Sequence, residues 1–141
     1  MIDIEKRLRR TFSSMAANES LADGLSEEAA TSMLQWGETI AKQFVLKTST
    51  MEDDMAEEYL APYSSALRKM MRAMGHWVIE TDQDAREEWW NRIEQNGKTL
   101  YGDGFVIPKM ETVLSQLPAG ADAQAVITFI QRLIENQKAK G

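Results

Sequence analysis

The sequence predicts an all-α fold, a bundle of about six helices forming one domain over residues 1–141. Three observations carry this. Apolar residues recur at steps of three and four in segment after segment, the spacing of a buried helix face. Serine, threonine and aspartate stand before these segments and glycine or proline after them, as helix starts and stops require. A chain of 141 residues that is 43% hydrophobic is long enough for one core and short for two.

The first segment sets Ile4, Leu8, Phe12 and Met15 on one stripe, with Lys6, Arg7, Arg9 and Arg10 around it. Such a helix suits a membrane surface through its cations, or the bundle through its stripe. The bundle is preferred, because similar stripes follow. The pattern loosens over Asn18 to Gly24. Ser26 with Glu27 and Glu28 then starts a long helix whose core residues are Ala30, Met33, Leu34, Ile40, Ala41, Phe44 and Val45. Gly37, beside Trp36, is expected to admit a close neighbour, and Lys47 to Thr50 form a turn.

Thr50 to Ile79 holds five of the nine methionines and the only histidine. Met51, Met55, Tyr59, Tyr63 and Leu67 recur every fourth residue, and on a straight helix four such steps turn the stripe by roughly 160°. Pro62, which lacks an N–H and clashes with the preceding turn, is expected to reset the phase by dividing the stretch into two helices or one sharply kinked helix. After it, Leu60, Tyr63, Leu67, Met70, Met71, Met74, Trp77 and Val78 regain helical spacing. The acids Glu52, Asp53, Asp54, Glu57 and Glu58 follow Thr50, the expected cap, and Arg68, Lys69 and Arg72 lie toward the other end, as helix dipoles favour.

Thr81 with Asp84 resembles a capping box, and Asn96-Gly97 a stop. Between them Ala85, Trp89 and Ile93 make a core stripe from which Trp90 projects about 100° away. Arg86, four residues before Trp90, is placed to cover its ring. Residues 98–107 are glycine-rich. Either a short loop or a tiny hairpin fits, with Thr99-Leu100-Tyr101 facing Phe105-Val106-Ile107. Pro108 opens a short helix through Val113, Leu114 and Leu117, and Pro118-Ala119-Gly120 breaks it. Asp122 caps a last helix with Val126, Ile127, Ile130, Leu133 and Ile134 inward, and Gln137 to Gly141 is expected to fray.

Composition narrows the function. The absence of cysteine removes disulfides and thiolate chemistry and fits a reducing compartment, so a soluble cytoplasmic protein is expected. No apolar run is long enough to cross a bilayer, which argues against integral membrane association. A net charge of −6 argues against nucleic acid. Gly97-Lys98-Thr99 imitates the end of a phosphate loop, but Arg92 stands where the earlier glycine belongs. Gly102-Asp103-Gly104 lacks the strand and helix that a dinucleotide site needs. His76, Glu80 and Asp84 are four apart, yet the expected break near Glu80 and the lack of a second histidine or cysteine weigh against zinc.

One enzymatic alternative remains. Asp54, Glu57 and Glu58, if they faced Asp84, Glu87 and Glu88 across two helices, could hold magnesium for a nucleotide or phosphate-ester hydrolase. Two acid-rich helix starts explain the same residues with fewer assumptions. The preferred expectation is a non-catalytic interaction or regulatory module with no cofactor, whose partner is another protein or a second copy in a homodimer. Trp90, Tyr101 and Phe105 are the candidate partner-binding residues: the first lies off its stripe and the others flank the glycine-rich turn.

Overall fold

A computed structural model describes residues 24–140, and every regular element among them is helical. The expected first helix, with its basic residues and membrane-surface alternative, lies outside the described residues. The elements are α1 (Glu27–Leu46), α2 (Asp53–Ile79), α3 (Gln83–Tyr101), α4 (Met110–Gln116) and α5 (Ala123–Lys140).

α1 begins as expected. The Ser26 side chain accepts from the Ala29 N–H, and Glu27 and Glu28 occupy the positive end of the helix. Its buried residues Ala29, Met33, Trp36, Ile40, Phe44 and Val45 follow helical spacing, and Gly37 is buried among them. In the turn after Leu46, the buried Thr48 hydroxyl donates to the Val45 carbonyl at 2.6 Å. Thr50 belongs to this turn, so it does not cap α2; Glu52 stands at that cap without a side-chain bond.

α2 corrects one of the two arrangements expected at Pro62, the division into two helices. It is one continuous helix of 27 residues with Pro62 inside it. The apparent phase drift came from counting Met51 and Met55 as core. Met51 precedes the helix and Met55 is 62% exposed, whereas Ala56, Leu60, Leu67, Met70, Met74 and Trp77 are buried at steps that need no reset. Pro62 lies on the exposed side, where water can reach the Glu58 carbonyl that its missing N–H leaves without a helical donor.

α3 departs from the sequence expectation at both ends. Asp82 is its cap, accepting from the Ala85 N–H at 3.0 Å, while Glu80 accepts from the Asp82 N–H; the Thr81–Asp84 box does not form. The helix also passes through Asn96-Gly97 and closes at Gly102, whose φ of 101° suits glycine. Gly97 is therefore a seat. A Cβ built there would lie 2.1 Å from the Phe105 ring, so only glycine lets that ring pack on the helix backbone. Thr99-Leu100-Tyr101 form the last helical turn, and no hairpin exists among the described residues.

From Gly102 the chain reverses and runs back along α3 as an extended strap. Phe105 sits at Gly97, the Ile107 N–H donates to Glu94 Oε2 at 3.0 Å, and Trp90 Nε1 donates to the Pro108 carbonyl at 2.9 Å. Phe105 and Ile107 face inward and Val106 outward, the two-residue period of extended chain. α4 follows, and Asp122 then starts α5 as expected by accepting from the Ala125 N–H. Ile127, Ile130 and Ile134 are fully buried, and Val126 and Leu133 partly so. The α5 backbone stays helical to Lys140, beyond the expected fraying point at Gln137.

Ring contacts fix the directions. The start of α1 meets the end of α2, where Gly24 lies against Ile79. At the other end Phe44 meets Tyr63 at 4.9 Å and Tyr101 at 6.3 Å, while His76 and Trp77 meet Trp89 and Trp90. Thus α1, α2 and α3 form an antiparallel meander, as short connections favour. α5 packs on α1 and α2, and the Gln124 and Gln131 amides both reach Ser32.

Two stability changes follow. Gly97→Ala should destabilise the protein by about 2 kcal/mol through overpacking, despite alanine's better helix propensity. In a Phe105→Ala background the same change should be neutral or stabilising, a coupling that a urea-denaturation double-mutant cycle would reveal. Pro62→Ala should raise stability by about 1–3 kcal/mol, because it restores an N–H donor at an exposed helical site. A lower urea midpoint would mean that the proline ring makes contacts the helix needs.

Candidate functional site

The antiparallel pairing of α2 and α3 leaves an open groove of about 490 Å³ between them, lined by Lys69, Arg72, Trp89, Arg92, Gln95 and Asn96. Lys69 and Arg72 come from successive turns of α2. Trp89, Arg92 and Asn96 follow steps of three and four on α3, so one helix face supplies them all.

Trp89 forms the apolar wall and is held from two directions. His76 stacks on it, with ring centroids 4.4 Å apart and planes 10° apart, and the Arg92 guanidinium lies 4.6 Å from its centroid. Arg92 also pairs with Glu88 at 2.7 Å across one exposed turn, and Asn96 donates to the Arg92 carbonyl. Among the described residues neither Lys69 nor Arg72 has an ion-pair partner. The groove thus concentrates positive charge on a chain of net charge −6. It can bind anions.

The residues singled out from sequence lie elsewhere. Trp90 is 4% exposed and Phe105 2%, the first packed 5.0 Å from Trp77 and the second seated on Gly97. Tyr101 is partly buried between Phe44 and Phe105. Burial pushes its phenol well above the usual tyrosine range, and the nearby Glu135 adds to the shift. All three side chains are built into this chain's own packing. The tryptophan roles are the reverse of those expected: the core face of α3 is Trp90, Ile93, Gly97 and Leu100, and Trp89 faces the groove. Arg86 does not cover Trp90. Its guanidinium lies 4.5 Å from the Trp77 ring centroid, and Nε donates to the Trp77 carbonyl, satisfying an acceptor near the end of α2. Burial lowers its pKa, against the opposing charge of Glu80.

The acidic clusters do not converge. Asp54, Glu57 and Glu58 lie at the start of α2, and Asp84, Glu87 and Glu88 lie at the start of α3, beside the far end of α2. At 1.5 Å per residue, Glu58 is about 30 Å along the axis from that end. Among the described residues no three histidine, aspartate or glutamate side chains gather as metal ligands. His76 is stacked on Trp89, and Glu80 is turned to the Asp82 backbone. No described helix is long and apolar enough to cross a membrane.

No family model, curated protein or solved structure matches this chain.

Tyr101 generates a pH prediction. Its folded pKa is raised, so the folded state holds the phenolic proton where the unfolded state has released it. The contribution is complete below the unfolded value of about 10 and should fall by about 1.4 kcal/mol per pH unit above it. Tyr101→Phe should flatten the alkaline decline in urea-measured stability. An unchanged slope would show that Tyr101 ionises as freely folded as unfolded.

Proposed function

We propose that this chain is a non-catalytic interaction module that docks an acidic protein segment in the α2–α3 groove. The observation that supports it is the convergence of Lys69, Arg72 and Arg92 on the wall formed by Trp89. Arginine presents a planar fork of donors that matches a carboxylate, and lysine adds a compact charge. Tryptophan and arginine are also the residues most often central to binding energy. Trp90, Tyr101 and Phe105 serve this role indirectly, since they fix the helix that carries Trp89 and Arg92.

The groove is small for a nucleic acid. A duplex or long single strand would meet the surrounding negative charge beyond these few cations. A short acidic segment need touch only the groove, and screening limits repulsion from the rest to about 8 Å at physiological salt.

A fluorescein-labelled glutamate-rich peptide, titrated with the protein and followed by anisotropy, tests the proposal. Arg72→Glu should weaken binding by about tenfold or more, because like charges then face each other. Lys109→Glu, an exposed change outside the groove, should have little effect. Equal losses in the two variants, or no binding to the unaltered protein, would overturn the assignment.

A further inference from the structure

The outward face of α2 carries its own complement. Asp54, Glu58, Ala61, Ser65, Lys69 and Arg72 fall within about 80° of arc at 100° per residue. Ser65 is half-buried and the other five are exposed. Along this face, acids come first, small residues occupy the middle, and cations come last. The levels match about Tyr63: Asp54 and Arg72 stand nine residues from it, Glu58 and Lys69 five and six, and Ala61 and Ser65 two.

We infer that this face pairs with the same face of a second copy, the two α2 helices running antiparallel about a two-fold axis at the level of Tyr63. Asp54 then meets Arg72 of the second copy, and Glu58 meets Lys69 of the second copy on the same side of the seam, with both contacts repeated by symmetry as a closed two-fold interface requires. Ala61 and Ser65 meet at the crossing, where small side chains let helices approach closely. A parallel arrangement would set acid against acid and cation against cation, so charge selects the antiparallel direction.

The pairing rests on the groove being a docking site for acidic chain, and it names the occupant. The acidic start of each α2 enters the Lys69–Arg72–Arg92 groove of the other copy. Met55, 62% exposed beside Asp54, reaches the level of Arg72 and the Trp89 wall across the interface. An exposed methionine thereby gains an apolar neighbour, and its flexible thioether suits such a contact.

Sedimentation equilibrium of the full chain tests the inference. The unaltered protein should dimerise at low salt, and raising salt from about 0.05 to 0.5 M should weaken the dimer several-fold. Arg72→Asp and Asp54→Arg should each weaken it by about tenfold or more, since each change creates two like-charge contacts. The combined D54R/R72D chain should regain the dimer, because both pairs re-form with reversed polarity. Glu58→Lys with Lys69→Glu provides a second swap, and circular dichroism confirms the helix content of every variant. A chain monomeric at all concentrations at low salt overturns the pairing, as do combined variants no better than their singles. If that monomer still binds the glutamate-rich peptide through Arg72, only self-pairing has failed. Loss of both the dimer and peptide binding removes the groove assignment as well.

Discussion

The contact between Trp77 and Trp90 sets the geometry on which the other features depend. Trp77 is fully buried near the end of α2, and its ring lies 5.0 Å from that of Trp90 near the start of α3. Large aromatic side chains bury much apolar area, and a well-placed pair adds about 0.5–1.5 kcal/mol beyond that burial. Each ring also has a second attachment. Arg86 lies over Trp77 and bonds its carbonyl, which fixes the turn between the helices. Trp90 holds the Pro108 carbonyl, which fixes the strap. One aromatic contact thus joins two helices, their connection and the return chain. Adjacent in sequence, Trp89 and Trp90 divide the work: one faces the core and the other forms the groove wall.

The core on this seam is unusual in its softness. Met33, Met70, Met71 and Met74 are fully buried with Trp77, and methionine's three flexible torsions let it fill the uneven space that large indoles leave. The fit carries a cost. The Trp36 and Trp77 Nε1 atoms are buried without a hydrogen-bond acceptor among the described residues, and an unmet buried donor costs about 1–3 kcal/mol. The area these rings bury offsets that loss. Polar satisfaction is better where orientation matters more, since Trp90 has its acceptor and Glu94 meets the Ile107 N–H. The strap is positioned by directional bonds, while the seam is positioned by volume.

Local signals were readable in the sequence because their causes are local. Ser26 and Asp122 bond to backbone three residues ahead, and the α5 isoleucines need only one helix face. The errors arose where a distant residue decides the outcome. Gly97 reads as a helix stop, yet it is a gap for Phe105, and nothing near Gly97 announces that ring. The supposed stop also shortened the α3 stripe. Even extended through Leu100, that stripe leaves Trp89 and Trp90 about 50° to either side of it, so the contact of Trp90 with Trp77 decides which ring is core. At Pro62 the misleading element was Met55, an apolar residue in solvent that shifted the inferred phase. The groove was hidden for a different reason: Lys69, Arg72 and Arg92 each look like ordinary solvated charges until the antiparallel turn brings the two helices together.

On the proposed reading, that topology would also determine how the groove discriminates. Arg92 already pairs with Glu88, so a ligand carboxylate must displace an exposed partner worth only about 0.3–0.5 kcal/mol to engage it. Lys69 and Arg72 have no such competitor among the described residues, so in the proposed docking they would provide the first contacts and Arg92 a later one. In the proposed docking Glu88 would be a weak internal stand-in for the ligand carboxylate, paired with the guanidinium that lies over Trp89. A ligand with one carboxylate can satisfy the α2 side alone. On the proposed reading, only a ligand with acids spaced to reach both helices would exchange the Glu88 pair for its own, so spacing between acids, more than their number, would govern selection.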